Sequence, residues 1–213
     1  KIFIIDDSSS KKILDLIKND LENINYIFRG KKLGRGSAVL KGIQLALNSK
    51  YTDVIIEMDA DLSHDPDEIV SKLDIFKEQN CDLLVSSRYA EKAKIINWPI
   101  SRKILSFLAN KLAMFFLKIP VSDYTNGFRF YSKQAAEHIV LNCGKIGDGF
   151  IVLSEILLSL HLNKFKISET FTIFRNRVRG DSSVNMSLII KSLIGLYKLY
   201  LFKNNKKNVP DNK

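Results

Sequence analysis

Residues that form disulfides or bind transition metals are scarce in this chain. Among its 213 residues there are two cysteines and three histidines. Cys81 and Cys143 lie 62 positions apart and show no CxxC or Cys/His spacing. The sequence therefore indicates neither a disulfide framework nor a zinc site, and a reducing compartment is the default expectation.

Long hydrophobic runs are also missing. No stretch reaches the roughly 18 uncharged apolar residues that a membrane-spanning helix needs. The first residues, KIFIID, show no signal-peptide pattern. Hydrophobic residues nevertheless make up 46% of the chain, which is enough for a substantial core. The length fits one globular domain, and we predict a single one.

Acidic residues are outnumbered by basic ones. The 33 Lys and Arg residues against 23 Asp and Glu give a formal net charge of +10. This excess implies an anionic partner, and nucleic acid, phosphorylated small molecules and an acidic membrane surface all qualify. Because the lysines are scattered and no RNA-reading aromatic motif is present, nucleic acid is the least favoured of the three.

Short apolar runs alternate with helical patterns in the first part of the chain. Strand-like runs lie at 1–5, 53–58 and 82–87, and helix-like patterns lie at 38–47 and 66–79. This alternation predicts an α/β fold with a mostly parallel sheet flanked by helices. In such sheets ligands bind beyond the carboxyl ends of the strands. The polar residues at those ends are Asp6, Asp7, Asp59, Asp61, Ser86, Ser87 and Arg88.

Negative charge is concentrated in one segment. EMDADLSHDPDEI, residues 57–69, carries six acidic side chains directly after an apolar run. Like charges this close repel one another unless a cation or a basic side chain compensates. The spacing of Asp59 and Asp61 suits a hard divalent cation that also takes phosphate oxygens. The acids from Asp65 onward are favourable at the N-terminus of the next helix.

Six short segments carry a family resemblance when taken in order and at their spacings. They are DDSS, KLGRGSAVLKGI, MDADLSHDP, SSRY, NWPISR and PVSDYTNGFR. Over residues 1–183 the chain resembles glycosyltransferase family 2, and within it the dolichol-phosphate and polyprenyl-phosphate mannose synthases. The resemblance implies a GT-A type fold with a Rossmann-like nucleotide-binding sheet. It also implies transfer of one sugar from a nucleotide donor to a lipid phosphate.

The same resemblance assigns residues to the nucleotide sugar. Asp6 or Asp7 would contact the nucleobase or ribose, and Lys32 would lie near the base and phosphates. Asp59 and Asp61 would hold Mg²⁺ or Mn²⁺ on the diphosphate.

Two further donor-site positions follow from the resemblance. Ser63 occupies a place where relatives carry Gln as an additional metal ligand, although Ser is a poorer ligand. Arg177, in FRNRVRGDSS, matches the arginine of an Asp-Arg-x-x-Gly-Glu-Ser segment, but Asn176 replaces the acid of that segment. Arg175 and Arg179 therefore stay open as alternatives. An arginine and a cation here would stabilise the charge that builds on the departing diphosphate.

The acceptor of the resembled enzymes is itself an anion. Arg88 of SSRY and Arg102 of NWPISR match the acceptor-phosphate positions, and arginine binds phosphate in a bidentate manner. A lipid monophosphate is already ionised near neutral pH, since its second pKa is about 6. No strong general base is needed, so His64, His138 and His161 are expected to be structural or exposed.

Two acidic residues are consistent with either a role in the site or a structural role. Asp123 matches a catalytic position, but beside an anionic acceptor it would repel the substrate unless it orients an arginine or the sugar hydroxyls. Asn126 and Gly127 form a turn signal, so this segment is also consistent with a structural loop. Glu155 lies in an otherwise apolar helix and is as consistent with a structural acid as with a site residue.

Two amphipathic stretches could meet a lipid. Residues 97–120 and 185–207 combine helical apolar patterns with Lys and aromatic residues, as interfacial helices do. Lys203, Lys206 and Lys207 would then meet acidic headgroups. The alternative is that both helices pack on the sheet. The shorter relatives sit on the cytoplasmic face of a membrane, peripherally or through small membrane-anchoring subunits.

We therefore expect a glycosyltransferase domain over 1–183, followed by a basic amphipathic helix and tail over 184–213. Relatives begin with one more strand than this chain shows, so we expect that strand to be absent. The predicted activity is metal-dependent inverting transfer of mannose from GDP-mannose to dolichyl or polyprenyl phosphate. The alternatives are transfer from UDP-glucose or another nucleotide sugar, and an inactive module that binds a nucleotide sugar or a membrane.

Overall fold

The chain alternates strands and helices over most of its length. A computed structural model describes residues 1–10, 12–17, 19, 22, 24–49, 52–147, 149–177 and 186–207. In these residues the strands are β1 (Ile2–Asp6), β2 (Ile24–Phe28), β3 (Val54–Glu57), β4 (Leu83–Ser87), β5 (Lys94–Ile96), β6 (Arg129–Ser132), β7 (Ile167–Phe171) and β8 (Ile173–Arg175). The helices are α1 (Lys12–Ile17), α2 (Arg35–Leu47), α3 (Glu68–Glu78), α4 (Ile100–Leu117), α5 (Lys133–Asn142), α6 (Ile151–Leu162) and α7 (Met186–Lys207).

The strands form one central sheet and two smaller pairs. The central sheet has the order β3-β6-β4-β7, and the pairs are β1-β2 and β5-β8. Parallel pairing joins β1 to β2, β4 to β7 and β5 to β8, while β6 runs antiparallel to both of its neighbours. The fold is therefore α/β with mostly parallel strands flanked by helices, as predicted.

The antiparallel strand β6 determines where the loops meet. Arg129, the first residue of β6, is opposite Glu57 at the end of β3 and also opposite Val85 in β4. The loops after β3 and β4 and the loop before β6 therefore emerge at the same edge of the sheet. These three loops carry the acidic segment, Arg88 and Asp123.

A large groove lies beside this edge. It has a volume of about 2060 Å³, and its walls include apolar residues of β1, α2 and β3. Within the described residues, β1 pairs with β2 alone, and residues of both β1 and β3 line the groove. Asp7, Lys32, Asp59, Asp61 and Arg177 also line it.

Helix α6 is the centre of the core. Residues from Ile151 to Leu158 are all buried, because a helix that is apolar around its whole circumference has to be covered on every side. α2 approaches it closely at Gly36, where an added Cβ would lie 2.4 Å from Val152 Cγ2 and 2.5 Å from the Gly149 carbonyl oxygen. The absence of a side chain at Gly36 permits this contact.

Helix α7 packs on both α6 and α4. The prediction that Lys203 meets lipid headgroups is wrong, because its ammonium group is buried and donates to the carbonyl oxygens of Phe116 (3.2 Å) and Leu117 (2.6 Å). Carbonyl groups at a helix C-terminus lack partners within the helix. Lys203 therefore fastens α7 to the end of α4, whereas Lys206 is exposed. In the described part of the chain no helix is long and apolar enough to span a bilayer.

Candidate active site

The carboxylates of Asp59 and Asp61 are at the rim of the groove, directly after β3. Their side chains are 37% and 27% exposed, so both can reach a ligand in the groove. Arg177 Nε lies 3.7 Å from Asp61 Oδ2, and Arg35 pairs with Asp59. Each carboxylate of the predicted pair thus has an arginine beside it.

His64 holds the backbone of this loop from inside the protein. It is buried, its Nδ1 accepts the Asp59 backbone N–H (3.2 Å), and its other ring nitrogen lies 2.9 Å from the Asn126 side-chain oxygen. This pairing assigns the proton to Nε2. Burial is the main cause that lowers the pKa of His64, which favours the neutral ring. The imidazole also stacks on Phe128. Its role is structural, as the sequence predicted.

Arg35 lies between two carboxylates. Its Nε and Nη2 donate to Asp59 Oδ1 at 3.1 and 2.8 Å, and Nη2 lies 3.0 Å from Glu57 Oε1. Glu57 also accepts a hydrogen bond of 2.7 Å from the Tyr131 hydroxyl. Burial, the largest single influence, would raise the pKa of Asp59, but the Arg35 charge, the Arg35 hydrogen bond and other nearby groups together outweigh it, so the pKa lies below its usual range.

Arg88 and Asp123 form a pair that solvent does not reach. Asp123 is 0% exposed, and its two oxygens accept from Arg88 Nε and Nη2, both at 2.8 Å. Asp123 also accepts the backbone N–H of Arg88 (3.0 Å), and Thr125 Oγ1 lies 2.6 Å from Arg88 Nη2. Burial would raise the pKa of Asp123, but Arg88 holds it below its usual range. The geometry favours the alternative in which Asp123 orients an arginine.

Arg102 lies near the other site arginines. Its guanidinium stands 4.0 Å from the centre of the Trp98 ring, and Nη1 donates to Asn176 Oδ1 at 3.1 Å. Burial first, and then the charges of Arg177 and Arg88, lower the pKa of Arg102. The positive charges of Arg177 and Arg88 at Arg102 favour an anion there, and Asp61 offsets part of their effect.

The predicted base-binding residues are at the end of β1. Asp6 is buried, and its carboxylate accepts from the Tyr26 hydroxyl and from the Ser8 backbone N–H (2.8 Å). These hydrogen bonds outweigh burial and lower the pKa of Asp6. Asp7 lines the groove together with Lys32, and the Asp7 carboxylate lies 3.0 Å from Arg29 Nη1. Of the two aspartates, Asp7 is the one placed to meet a ligand.

Two other predicted residues have scaffold contacts. Ser63 is buried, and its backbone N–H donates to Asp61 Oδ1 at 3.1 Å, so it orients that carboxylate. Glu155 is buried in α6 and accepts the backbone N–H of Lys145 at 3.1 Å, which holds the loop before α6. Burial raises the pKa of Glu155. Metal ligation by Ser63 stays a prediction.

The alternatives to Arg177 in this segment are Arg175 and Arg179. Arg175 is 48% exposed on its side chain and lies 3.9 Å from Asp65. Arg179 lies outside the described residues. Arg177 is therefore the described arginine of this segment that lies beside Asp61 and lines the groove.

Sequence reasoning missed Arg35, Glu57 and Arg129. Arg129 is 0% exposed and donates to the carbonyl oxygens of Tyr124 (3.0 Å), Asn126 (2.9 Å) and Leu153 (2.9 Å), so it fixes the loop that carries Asp123. The one available signal was Glu57, an acidic residue that ends a buried strand without a visible partner.

The carboxylate pair fits a divalent cation. Two partly exposed carboxylates offer the hard oxygen ligands that Mg²⁺ and Mn²⁺ prefer. No group of three or more His, Cys, Asp or Glu side chains with metal-ligand placement occurs in the described residues. A cation held by Asp59 and Asp61 would therefore complete its coordination with oxygens of a bound ligand and water.

Two solved structures share the architecture of this chain. Glucosyl-3-phosphoglycerate synthase from Mycobacterium tuberculosis, in complex with UDP, matches 93% of this chain and 66% of its own with a TM-score of 0.54 and 13% identity. The same synthase with Mn²⁺, UDP and phosphoglyceric acid matches 100% of this chain and 69% of its own with a TM-score of 0.62 and 14% identity. These similarities define a GT-A type fold.

The family follows from sequence. The model of glycosyl transferase family 2 matches residues 1–140, and the chain belongs to this family. Polyprenol monophosphomannose synthase from Mycolicibacterium smegmatis is 31% identical over 196 residues, which is 90% of this chain and 73% of that protein. Dolichol-phosphate mannosyltransferase from Pyrococcus furiosus is 30% identical over 204 residues, or 93% of this chain. The chain spans only 54% of the Pyrococcus protein.

Proposed function

We propose that this protein transfers mannose from GDP-mannose to dolichyl or another polyprenyl phosphate, with the help of Mg²⁺ or Mn²⁺. The observation that carries this proposal is that Asp59, Asp61 and Arg177 line one groove, with Arg177 beside Asp61 and Arg102 close enough for its pKa to respond to Arg177. The names of the two sequence relatives support the choice of sugar and lipid.

The donor would lie along the groove with its diphosphate at Asp59 and Asp61. A divalent cation bound there would act as a Lewis acid for the departing diphosphate. Arg177 would offer that diphosphate a charge-assisted hydrogen bond as negative charge develops. Asp7 and Lys32, which also line the groove, would contact the nucleoside and phosphates.

The acceptor phosphate would bind at Arg102. Its guanidinium is stacked on Trp98 and positioned by Asn176, so its orientation is set before the phosphate arrives. Arg88 lies nearby, where its pair with Asp123 fixes the orientation of its guanidinium. Because the acceptor is already ionised near neutral pH, no side chain has to remove a proton.

The lipid would approach over the apolar faces of two helices. α4 and α7 contact each other through Phe116 and Tyr200, whose ring centres lie 5.3 Å apart. Both expose large apolar side chains, and we call this set the α4–α7 apolar surface. It comprises Ile100, Ile104, Leu108, Phe115, Ile190 and Tyr197. An exposed patch of this kind is a feature of interaction sites, and membrane-surface helices combine it with Lys residues.

A donor panel tests this proposal. The protein is incubated with Mn²⁺, a short polyprenyl phosphate and either GDP-mannose or UDP-glucose, and the lipid product is measured. We expect mannosyl lipid from GDP-mannose, and loss of at least two orders of magnitude in rate for Asp61→Asn. Asp67→Asn, an exposed acid in the same segment, is the matched control and keeps the activity.

Other results would point elsewhere. Product from UDP-glucose alone would replace the sugar in the proposal while keeping the reaction class. Donor binding without turnover on any lipid phosphate would instead favour an inactive nucleotide-sugar module. Full activity of folded Asp61→Asn would remove the carboxylate pair from the mechanism.

A further inference from the structure

Arg35 occupies the carboxylate that the divalent cation would need. It is the first residue of α2, and two of its nitrogens donate to the same Asp59 oxygen, Oδ1. Nη2 is shared with Glu57 Oε1 at 3.0 Å. A carboxylate that accepts two guanidinium hydrogen bonds is a weakened metal ligand until the arginine releases it.

The surroundings of Arg35 hold it from one side. An added Cβ at Gly127 would lie 1.7 Å from Arg35 Nη2, so the absence of a side chain at Gly127 makes room for the guanidinium. The Phe150 ring centre lies 5.6 Å from Arg35 Cζ. Glu57 is fixed in turn by the Tyr131 hydroxyl. Glu57 can therefore keep Arg35 near the site when Asp59 is taken.

One nitrogen of Arg35 is poorly satisfied in this arrangement. Nη1 is buried without a hydrogen-bond partner in the part of the chain that the structure describes. A buried donor left without an acceptor is unfavourable. A diphosphate would provide acceptors for it, since guanidinium groups bind phosphate oxygens in pairs. A diphosphate can therefore replace Asp59 as the hydrogen-bond acceptor of Arg35.

The local charges support such an exchange. Glu57, Asp59 and Asp61 face two arginines, Arg35 and Arg177, so the group carries one net negative charge. A divalent cation alone would make it positive. A cation together with a diphosphate is better balanced, because the diphosphate brings its own negative charge to meet both the cation and Arg35.

We propose that Arg35 keeps Asp59 occupied in the empty protein and moves to the diphosphate when the divalent cation takes Asp59. The proposal deepens the proposed function and rests on it. It makes cation and nucleoside diphosphate bind interdependently: each raises the affinity for the other by the same factor, as linkage requires. Arg35 is a positioning residue for Asp59 and a ligand of the diphosphate.

Binding of Mn²⁺ and GDP tests the exchange without turnover. Calorimetry measures Mn²⁺ affinity with and without saturating GDP. In wild type we expect weak binding of Mn²⁺ alone and an increase of about tenfold or more when GDP is present, within the usual range of coupling between sites. The double variant Arg35→Gln/Glu57→Gln leaves the net charge unchanged and frees Asp59. We expect it to bind Mn²⁺ alone about tenfold more tightly and to lose most of the coupling.

Three further variants give the test its controls. Gly127→Ala keeps every charge but displaces the guanidinium by its added Cβ, so it should also tighten binding of Mn²⁺ alone; it serves if the double variant does not fold. Lys41→Gln removes an exposed positive charge from the same helix and should change neither value. Asp59→Asn in the double variant should abolish the gain.

The outcomes separate the two proposals. Unchanged or weaker Mn²⁺ affinity in folded variants that free Asp59, or absence of coupling in wild type, would overturn the role of Arg35. Failure of lipid mannosylation while Mn²⁺ and GDP remain coupled would overturn the proposed function and keep the exchange.

Discussion

Asp123 is a fully buried carboxylate near the site, and among the described residues its charged partner is Arg88. Arg88 takes both of its oxygens at 2.8 Å, and three backbone N–H groups bind it as well, from Arg88, Thr125 and Asn126. Removing one member of such a pair leaves the other charge uncompensated in the interior, which typically costs about 3–5 kcal/mol.

Asp123→Asn should therefore lower the free energy of unfolding at neutral pH by about 3–5 kcal/mol, as measured by urea denaturation. Asp74→Asn, an exposed acid on the outer part of α3, is the matched control and should change it by less than about 0.5 kcal/mol. A loss of similar size in both variants would show that the Arg88 pair is not what stabilises this loop.

The difference in free energy of unfolding between wild type and Asp123→Asn should depend on pH. Arg88 holds the pKa of Asp123 below its ordinary 3.8 in the folded protein. The unfolded chain therefore binds the proton first on acidification, so the stabilisation is present above 3.8 and is lost as the pH falls below it. The gap between wild type and Asp123→Asn should shrink in that acid range.

At this scale the sequence located the acidic pair but not its immediate partner. Asp59 and Asp61 were predictable because polar residues after a buried strand meet at one sheet edge. Arg35 lies 24 positions before Asp59, in a glycine-rich segment that gives no sign of the charge it meets. Contacts between distant positions depend on strand order, which the residues themselves do not display.

The elements were predicted best where strands are short, apolar and followed by amphipathic helices. The expected strands 1–5, 53–58 and 82–87 are observed at Ile2–Asp6, Val54–Glu57 and Leu83–Ser87. Strand β6, with only four residues, was not predicted. Its insertion between β3 and β4 depends on long-range pairing, and it is the step that brings the loop carrying Asp123 to the site edge.

Helix α2 offers a comparison between two glycines in the same element. At Gly36 an added Cβ would lie 2.4 Å from Val152 Cγ2 and 2.5 Å from the Gly149 carbonyl oxygen, so Gly36→Ala forces α2 and α6 apart. We expect a loss of about 1–3 kcal/mol in the free energy of unfolding.

Gly42→Ala is the matched control. Its added Cβ would make only an ordinary contact of 3.4 Å with Ile5 Cγ1, and alanine is the better helix former. We expect a gain of up to about 1 kcal/mol in the same denaturation experiment. If both variants were stabilised, or both were destabilised, the close approach of α2 to α6 would not be the reason for glycine at position 36.

For the whole molecule, charge and exposed apolar area have to be considered together. The net charge of +10 favours an acidic surface, and the α4–α7 apolar surface gives that interaction a place on the protein. Leu108 and Phe115 are 57% and 70% exposed on α4. Moving such side chains out of water lowers the free energy by about 25 cal/mol for each Å² of apolar surface removed.

The protein should therefore bind vesicles of phosphatidylcholine and phosphatidylserine. The double variant Leu108→Glu/Phe115→Glu should bind them about tenfold more weakly, because both substitutions remove apolar area and add negative charge that faces acidic lipid. Co-sedimentation with the vesicles measures this. Leu141→Glu, at a side chain that is 76% exposed on α5 and outside the α4–α7 apolar surface, is the matched single-site control and should bind as wild type does.

Added salt should weaken wild-type binding only in part, since the apolar contribution does not depend on screening. Equal loss in both variants would assign the attraction to net charge alone, and the lipid acceptor would then have to reach Arg102 without a docked helix surface.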